Sequence, residues 1–301
     1  MKTIKEGFWM IIFFSAFLGA QTSDEVRKPE VAGMFYPGNS QQLKAMIDKY
    51  LSETDVVVDG EIGGLVSPHA GYIYSGPVAA WSYKQVAGKS YDVVVVIAPS
   101  HFEYFSGSSI YPGKYYETPL GKLPVDQELA ERLAKADKKI MLSQTGHSPG
   151  SGGRSEHSLE VQLPFLQQTV GEVKIIPIVM ADQSRENVRI LGNALAEVLQ
   201  GKKALIIASS DLSHYHSYER AYELDKTLMD LFTDFEYQKL LEACEKRKIE
   251  ACGYGPIAVM MYACSKLGYN KSKVLKYATS GDVPAGEKAQ VVGYMSGVVY
   301  K

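Results

Sequence analysis

Residues 91–101 read Y-D-V-V-V-V-I-A-P-S-H, and the reading of this stretch decides the fold. Valines and an isoleucine on consecutive positions, rather than on every second one, belong to a strand covered on both faces. Pro99 has no N–H to give to a sheet ladder, so pairing ends there and the chain goes on to deliver His101. Residues 63–72, G-G-L-V-S-P-H-A-G-Y, repeat the pattern and deliver His69 just after Pro68. Residues 204–214, A-L-I-I-A-S-S-D-L-S-H, deliver Asp211 and His214. In open α/β sheets ligands bind beyond the carboxyl ends of the strands, so three such ends predict one shared rim.

Working outward, short apolar runs alternate with amphipathic stretches. Strands are expected at 63–67, 92–98, 173–180, 204–209, 274–279 and 290–299. Helices are expected at 77–86, 126–137, 157–169, 185–199, 219–233, 235–247 and 256–267, with another carrying Leu43, Met46, Ile47 and Leu51 on one face. The alternation predicts an α/β fold with a largely parallel or mixed central sheet flanked by helices, in a single domain over residues 28–301. Residues 148–155, S-P-G-S-G-G-R-S, read as a loop. They lack the Gly-Lys-Ser/Thr ending of a phosphate-binding loop, and no G-x-G-x-x-G follows a strand, which argues against nucleotide chemistry.

The chain has 301 residues, 46% of them hydrophobic, enough to bury a large core. A formal net charge of −2 and the absence of any sustained basic run leave no electrostatic footprint for nucleic acid. Lys2 and Lys5 precede an apolar stretch over residues 8–20 that ends in Leu-Gly-Ala and is followed by polar residues. This is the pattern of a signal peptide over residues 1–20, cleaved near Ala20. It predicts an exported protein, periplasmic or extracellular, with no membrane span after cleavage; an uncleaved or mis-started chain would instead be anchored or cytoplasmic. Three cysteines, Cys244, Cys252 and Cys264, are too few for a disulfide scaffold and leave at least one thiol unpaired within a monomer.

Two imidazoles beyond neighbouring strand ends, His69 and His101, offer the neutral nitrogen ligands that iron, copper and zinc accept. His147 and His216, in polar and irregular surroundings, read instead as surface or hydrogen-bonded core residues. Residues 154–166, R-S-E-H-S-L-E-V-Q-L-P-F-L, predict a helix opened by His157 with Leu159, Leu163 and Leu166 as its apolar stripe. Glu156 and His157 are then candidates to orient a ligand or handle a proton, although Glu156 reads equally well as a solvated acid at a helix start. In A-C-G-Y-G-P, residues 251–256, proline at a helix start places Cys252 just before an amino end, where amides favour a thiolate. Cys252 reads as functional or structural with equal ease; Cys244 and Cys264 fall at apolar helical spacing and read as core.

Taken in order, V-A-G-M-F-Y-P-G, S-P-H-A-G-Y, A-P-S-H, E-H-S-L-E-V-Q-L-P-F, S-S-D-L-S-H and C-G-Y-G-P resemble the motifs of the Memo family, known in prokaryotes as AmmeMemoRadiSam system protein B. The resemblance covers roughly residues 28–300. It implies the α/β fold of class III extradiol dioxygenases, which are non-haem iron enzymes. It also implies His69, His101 and Cys252 as metal ligands, Asp211 and His214 as a pocket pair in which the histidine acts as acid and base, and His157 as a further pocket histidine. The dioxygenases use a carboxylate as third ligand, and a thiolate in its place turns preference toward copper or a redox-active Fe(II). The leader is a second departure, because Memo proteins are generally intracellular.

Three functions compete. The first is an oxidoreductase with one mononuclear Fe(II) or copper centre and an unidentified small-molecule substrate, in which His214, oriented by Asp211, moves the proton. The second is a copper- or iron-binding protein without turnover. The third is a peptide- or protein-binding module that keeps the pocket. Asp211 and His214 beside the metal histidines favour chemistry, and Tyr72, Tyr74, Tyr104, Tyr115 and Tyr116 are candidates to line an aromatic pocket.

Overall fold

A computed structural model of the chain describes residues 25–147, 154–284 and 286–301. The leader and most of the Gly/Ser-rich stretch lie outside the described residues. Strands β1 (Val26–Arg27), β2 (Ile62–Ser67), β3 (Val93–Pro99), β4 (Ser108–Ile110), β5 (Tyr115–Thr118), β6 (Gly121–Pro124), β7 (Ile140–Leu142), β8 (Ile175–Met180), β9 (Ala204–Ser209), β10 (His214–His216), β11 (Lys271–Thr279) and β12 (Val291–Tyr300) alternate with helices. The helices are α1 (Ser40–Ser52), α2 (Tyr72–Lys84), α3 (Gln127–Ala136), α4 (Leu163–Thr169), α5 (Arg185–Val198), α6 (Tyr218–Thr233), α7 (Tyr237–Glu245) and α8 (Tyr254–Lys266). No helix among the described residues is long and apolar enough to cross a membrane.

The main sheet is mixed, in the order β10-β12-β2-β9-β3-β8-β4-β7 with β11 also paired to β12. Its centre, β2-β9-β3-β8, is parallel throughout, and antiparallel strands flank it on both sides. A small second sheet joins β1, β5 and β6. The consecutive apolar residues of β3 feed two cores: Val93, Val95 and Ile97 pack with α3, α5, α7 and α8, whereas Val94, Val96 and Ala98 pack with α1, α2 and α4. Each strand residue is thus buried on whichever face it points to, which is why the run shows no polar alternation.

Register aligns the strand ends. Ser67 of β2 pairs with Ser209 of β9, so two residues further on His69 and Asp211 stand side by side. Ile97 of β3 pairs with Ala208 of β9, which brings Pro99 and His101 to the same rim.

The six longer strands lie where sequence places them, within a few residues. The expected helix over 157–169 does not form as one element. A 3-10 turn at Glu160–Gln162 precedes α4, which starts only at Leu163 with Pro164 in its first turn. His157 therefore lies in irregular chain ahead of both. Helix α8 starts at Tyr254, two residues before Pro256, with Gly253 as its cap.

His147 is fully buried, accepting at Nδ1 from the Tyr116 hydroxyl and donating from Nε2 to Ser109 O at 3.0 Å. Burial, aided by the charge of Arg27 and only partly opposed by the Ser109 hydrogen bond and the charge of Glu156, pushes its pKa down to about 3, so the folded protein refuses a proton that the unfolded chain accepts below about 6.5. Stability from this residue is complete above pH 6.5 and is lost as pH falls toward 3, at up to about 1.4 kcal/mol per pH unit. Denaturant titrations at pH 7 and pH 4.5 are expected to show a smaller pH-dependent loss in His147→Asn than in the parent. Equal losses would show that His147 is not held neutral.

Candidate metal centre

Three imidazoles converge at the rim. One ligand nitrogen each from His69, His101 and His157 lies within 4.8 Å of the others. The rings of His101 and His157 stack with centroids 4.8 Å apart, and His69 meets both edge-on at 5.2 and 5.5 Å. Phe35 lies tilted against the His157 ring with centroids 4.4 Å apart, and Phe102 stands 6.2 Å from both His101 and His157.

Hydrogen bonds leave defined lone pairs free. The Ser209 hydroxyl donates to Ser158 O at 2.6 Å and accepts from Gln162 Nε2 at 2.8 Å, so its remaining lone pair accepts from His69 Nδ1 at 2.8 Å. When His69 is neutral, its proton is thereby kept on Nδ1 and Nε2 carries the lone pair. His101 Nδ1 donates to Glu156 Oε1 at 2.9 Å, and its backbone N–H donates to Oε2 of the same carboxylate. The amides of His157 and Ser158 also donate to Glu156 Oε1, each at 3.0 Å. Glu156 is therefore a buried and fully engaged carboxylate, not a solvated acid. Burial would raise its pKa, yet the hydrogen bond and charge of His101 hold it well below the usual carboxylate range.

Cys252 lies beside His69 but outside the group of three histidines. Its Sγ lies 3.2 Å from His69 Nε2 and accepts the Asp211 N–H at 3.1 Å. Burial would push the thiol up, but the charge of His69 and hydrogen bonds from His101 and His69 bring it down to about 7. For His101 burial likewise acts downward, and the Cys252 and Glu156 side chains override it, raising the ring to about 10. An imidazolium beside a thiolate is the arrangement in which a proton occupies lone pairs that an ion would otherwise take. His157 behaves oppositely: burial and the charge of His69 lower it to about 3, so it stays neutral.

Asp211 Oδ1 accepts the backbone N–H of His69 at 2.8 Å, and burial raises this carboxyl to about 6 against the pull of that bond and of His214. The ring of His214 is fixed from Nδ1 by Leu212 O at 2.8 Å, not by the Asp211 carboxylate expected from sequence. The nearest aromatic rings are phenylalanines. Tyr72 is core, bonded to Val161 O, and Tyr116 is buried beside His147, while Tyr104 is almost wholly exposed.

Sequence reasoning missed one layer of the support. Arg27 of β1 is buried against Glu160, donates to Glu156 O at 2.9 Å and to His147 O at 3.1 Å, and so ties the amino-terminal segment to the strap that carries Glu156 and His157. Glu160 also accepts from Tyr36 and from the amides of Glu30 and Val31. No spacing signal links residues more than a hundred positions apart.

The fold and the site together define an α/β protein whose central sheet presents a histidine cluster able to hold a metal ion. A family model for Memo-like proteins matches residues 27–298. A MEMO1 family protein of Nitrosopumilus maritimus is 39% identical over 275 residues, covering 89% of this chain and 98% of the relative. MEMO1 family proteins of Pyrobaculum aerophilum and Methanosarcina mazei are each 40% identical, over 288 and 278 residues, covering 92% and 91% of this chain and 99% of each relative. The chain belongs to the Memo family.

Removing a group that orients a ligand typically costs about 10–100-fold in metal affinity. Chelator competition is therefore expected to show that Ser209→Ala and Glu156→Gln each weaken binding of a divalent first-row ion by that order. His216→Ala, whose ring pairs with Glu250 at the surface, should leave it unchanged. Unchanged affinity in Ser209→Ala would mean that His69 is not a ligand through Nε2.

Proposed function

We propose that this Memo-family protein is a non-haem redox enzyme whose single Fe(II) or copper ion is held by His69, His101 and Cys252 and whose substrate is a small organic molecule. One observation carries the reading: two imidazoles have Nδ1 engaged by protein partners, and a thiol lies 3.2 Å from Nε2 of one of them. That separation falls within the ~3.1–3.6 Å that nitrogen and sulfur ligands span when bound at ~2.1 and ~2.3 Å to one ion. Two nitrogens and one thiolate suit copper or iron and leave positions open. When bound, the ion supplies a redox-active centre at which O₂ and substrate meet.

The remaining groups belong to the chain itself. Ser209 and Glu156 orient the histidines, and Phe35 and Phe102 limit water on the open side. His157, neutral at physiological pH, is a hydrogen-bonding partner for substrate. Asp211 changes charge near pH 6 and, with His214, whose Nε2 is left free by the bond at Nδ1, moves protons at the rim.

His157 favours a second reading. If it joins the other three donors, the ion has four ligands and no open position, as in a carrier without turnover. Variants purified without oxygen and assayed for metal separate the two. His69→Ala, His101→Ala and Cys252→Ser are expected to lose most Fe(II) or Cu(I), while His157→Ala and Cys244→Ser retain it and the parent consumes O₂ with a thiol or phenol substrate. Loss of metal in His157→Ala with no O₂ consumption by the parent supports the carrier. Full metal retention in Cys252→Ser would remove the thiolate from the centre.

A further inference from the structure

A cavity of about 420 Å³ opens on the Cys252 side of the centre, lined by Cys252, His214, Leu212, Cys244, Arg247 and Glu250 among others. Its size is within the range of small-molecule sites. Neither Phe35 nor Phe102 lines it, and its wall joins the thiol to His214.

Arg247 is the unusual member of this wall. Helix α7 ends in a Schellman motif: the Arg247 amide donates to Cys244 O at 2.9 Å and the Lys248 amide to Ala243 O at 2.8 Å. The residue after the cap in that motif takes a left-handed conformation and is usually glycine. Here it is arginine, at φ 53°. The same geometry ends α6, where Phe235 sits at φ 59°, but that ring packs against the core and gains burial in return. Arg247 is exposed and forms no ion pair with any described residue. The acid across the cavity, Glu250, is bonded to His216 Nε2 at 3.0 Å. A side chain kept in a conformation that disfavours it, charged, unpaired and on a cavity wall shared with Cys252, has the form of a recognition group.

We propose that this cavity binds the substrate and that the substrate is a small organic carboxylate, its anionic end held by the Arg247 guanidinium and its other end directed to the Cys252 and His214 side of the centre. Guanidinium presents a planar fork of donors matched to a carboxylate. The proposal rests on the placement of the metal centre at Cys252, so its test is made on metal-free protein, where anion capture reads independently of metal binding.

The probe is the pair iodoacetate and iodoacetamide, which alkylate the same thiol and differ in charge. Cys264 is buried and burial pushes Cys244 up to about 12, so labelling reports Cys252, with Cys252→Ser as the blank. The neutral reagent follows thiolate availability, and the ratio of the two rates isolates capture of the anion. The unpaired Arg247 guanidinium is expected to favour iodoacetate by roughly tenfold over a simple thiol, with the preference fading in high salt. Arg247→Gly should lose the preference while its melting temperature stays level or rises, because glycine suits the left-handed position. Glu250→Gln should increase the preference. An iodoacetate-to-iodoacetamide ratio unchanged in Arg247→Gly, or equal to that of a simple thiol in the parent, overturns the proposal. Failure of metal to bind at Cys252, with the rate ratio as expected, would instead overturn only the metal assignment.

Discussion

The Ser209 hydroxyl is the contact on which the site depends. It closes the last position of β9, in register with Ser67 of β2, and within hydrogen-bond distance it meets His69, Gln162 and Ser158. One oxygen thereby joins two strand ends to the segment that carries Glu156 and His157. With its single proton committed to Ser158 O, the hydroxyl has only lone pairs left for the imidazole, and that sets which nitrogen of His69 remains free.

Everything around this hub tightens the same geometry. Gln162 holds its orientation because Tyr83 donates to its oxygen while its nitrogen reaches Pro68 O. Ser158 donates in turn to Pro99 O, tying the segment to the end of β3 just before His101. On the Cys252 side, Ser210 accepts the Gly253 amide, and Gln183 bridges Cys252 O to the Gly255 amide. The thiol is thus held by the start of α8 and the ends of β8 and β9 at once. Gly253 and Gly255 are required by this closeness, since a Cβ at either would lie 2.2 Å from Ser209 O or 2.8 Å from the Gln183 side chain.

How much was legible in sequence follows from the range of the interactions involved. The central strands could be read because burial on both faces removes polar alternation from β3 and β9, and the histidines could be read because proline and small residues mark where those strands stop. Cys252 could be placed before a helix because Gly253, Gly255 and Pro256 punctuate the chain there. The helix expected at His157 failed because Leu159, Leu163 and Leu166 face the core from a 3-10 turn and a short helix almost as well as from one longer helix, and Pro164 delays the start. The Arg27–Glu160 pair was hidden because its partners are distant in sequence and each looks like a surface charge. The short strands β4, β5, β6 and β7 owe their conformation to neighbours, not to their own patterns. His214 was tied to Asp211 by proximity in sequence, whereas the backbone of Leu212 holds the ring.

The proposed function requires a thiolate, not a third imidazole, to complete the centre. X-ray absorption at the metal edge tests it most directly, because sulfur and nitrogen scatter at different distances and strengths. Protein loaded anaerobically with Fe(II) or Cu(I) should show one sulfur at about 2.3 Å with nitrogen at about 2.0–2.1 Å, and the sulfur should vanish in Cys252→Ser. A parent spectrum fitted by nitrogen and oxygen alone would contradict it and leave His69, His101 and His157 as the ligands.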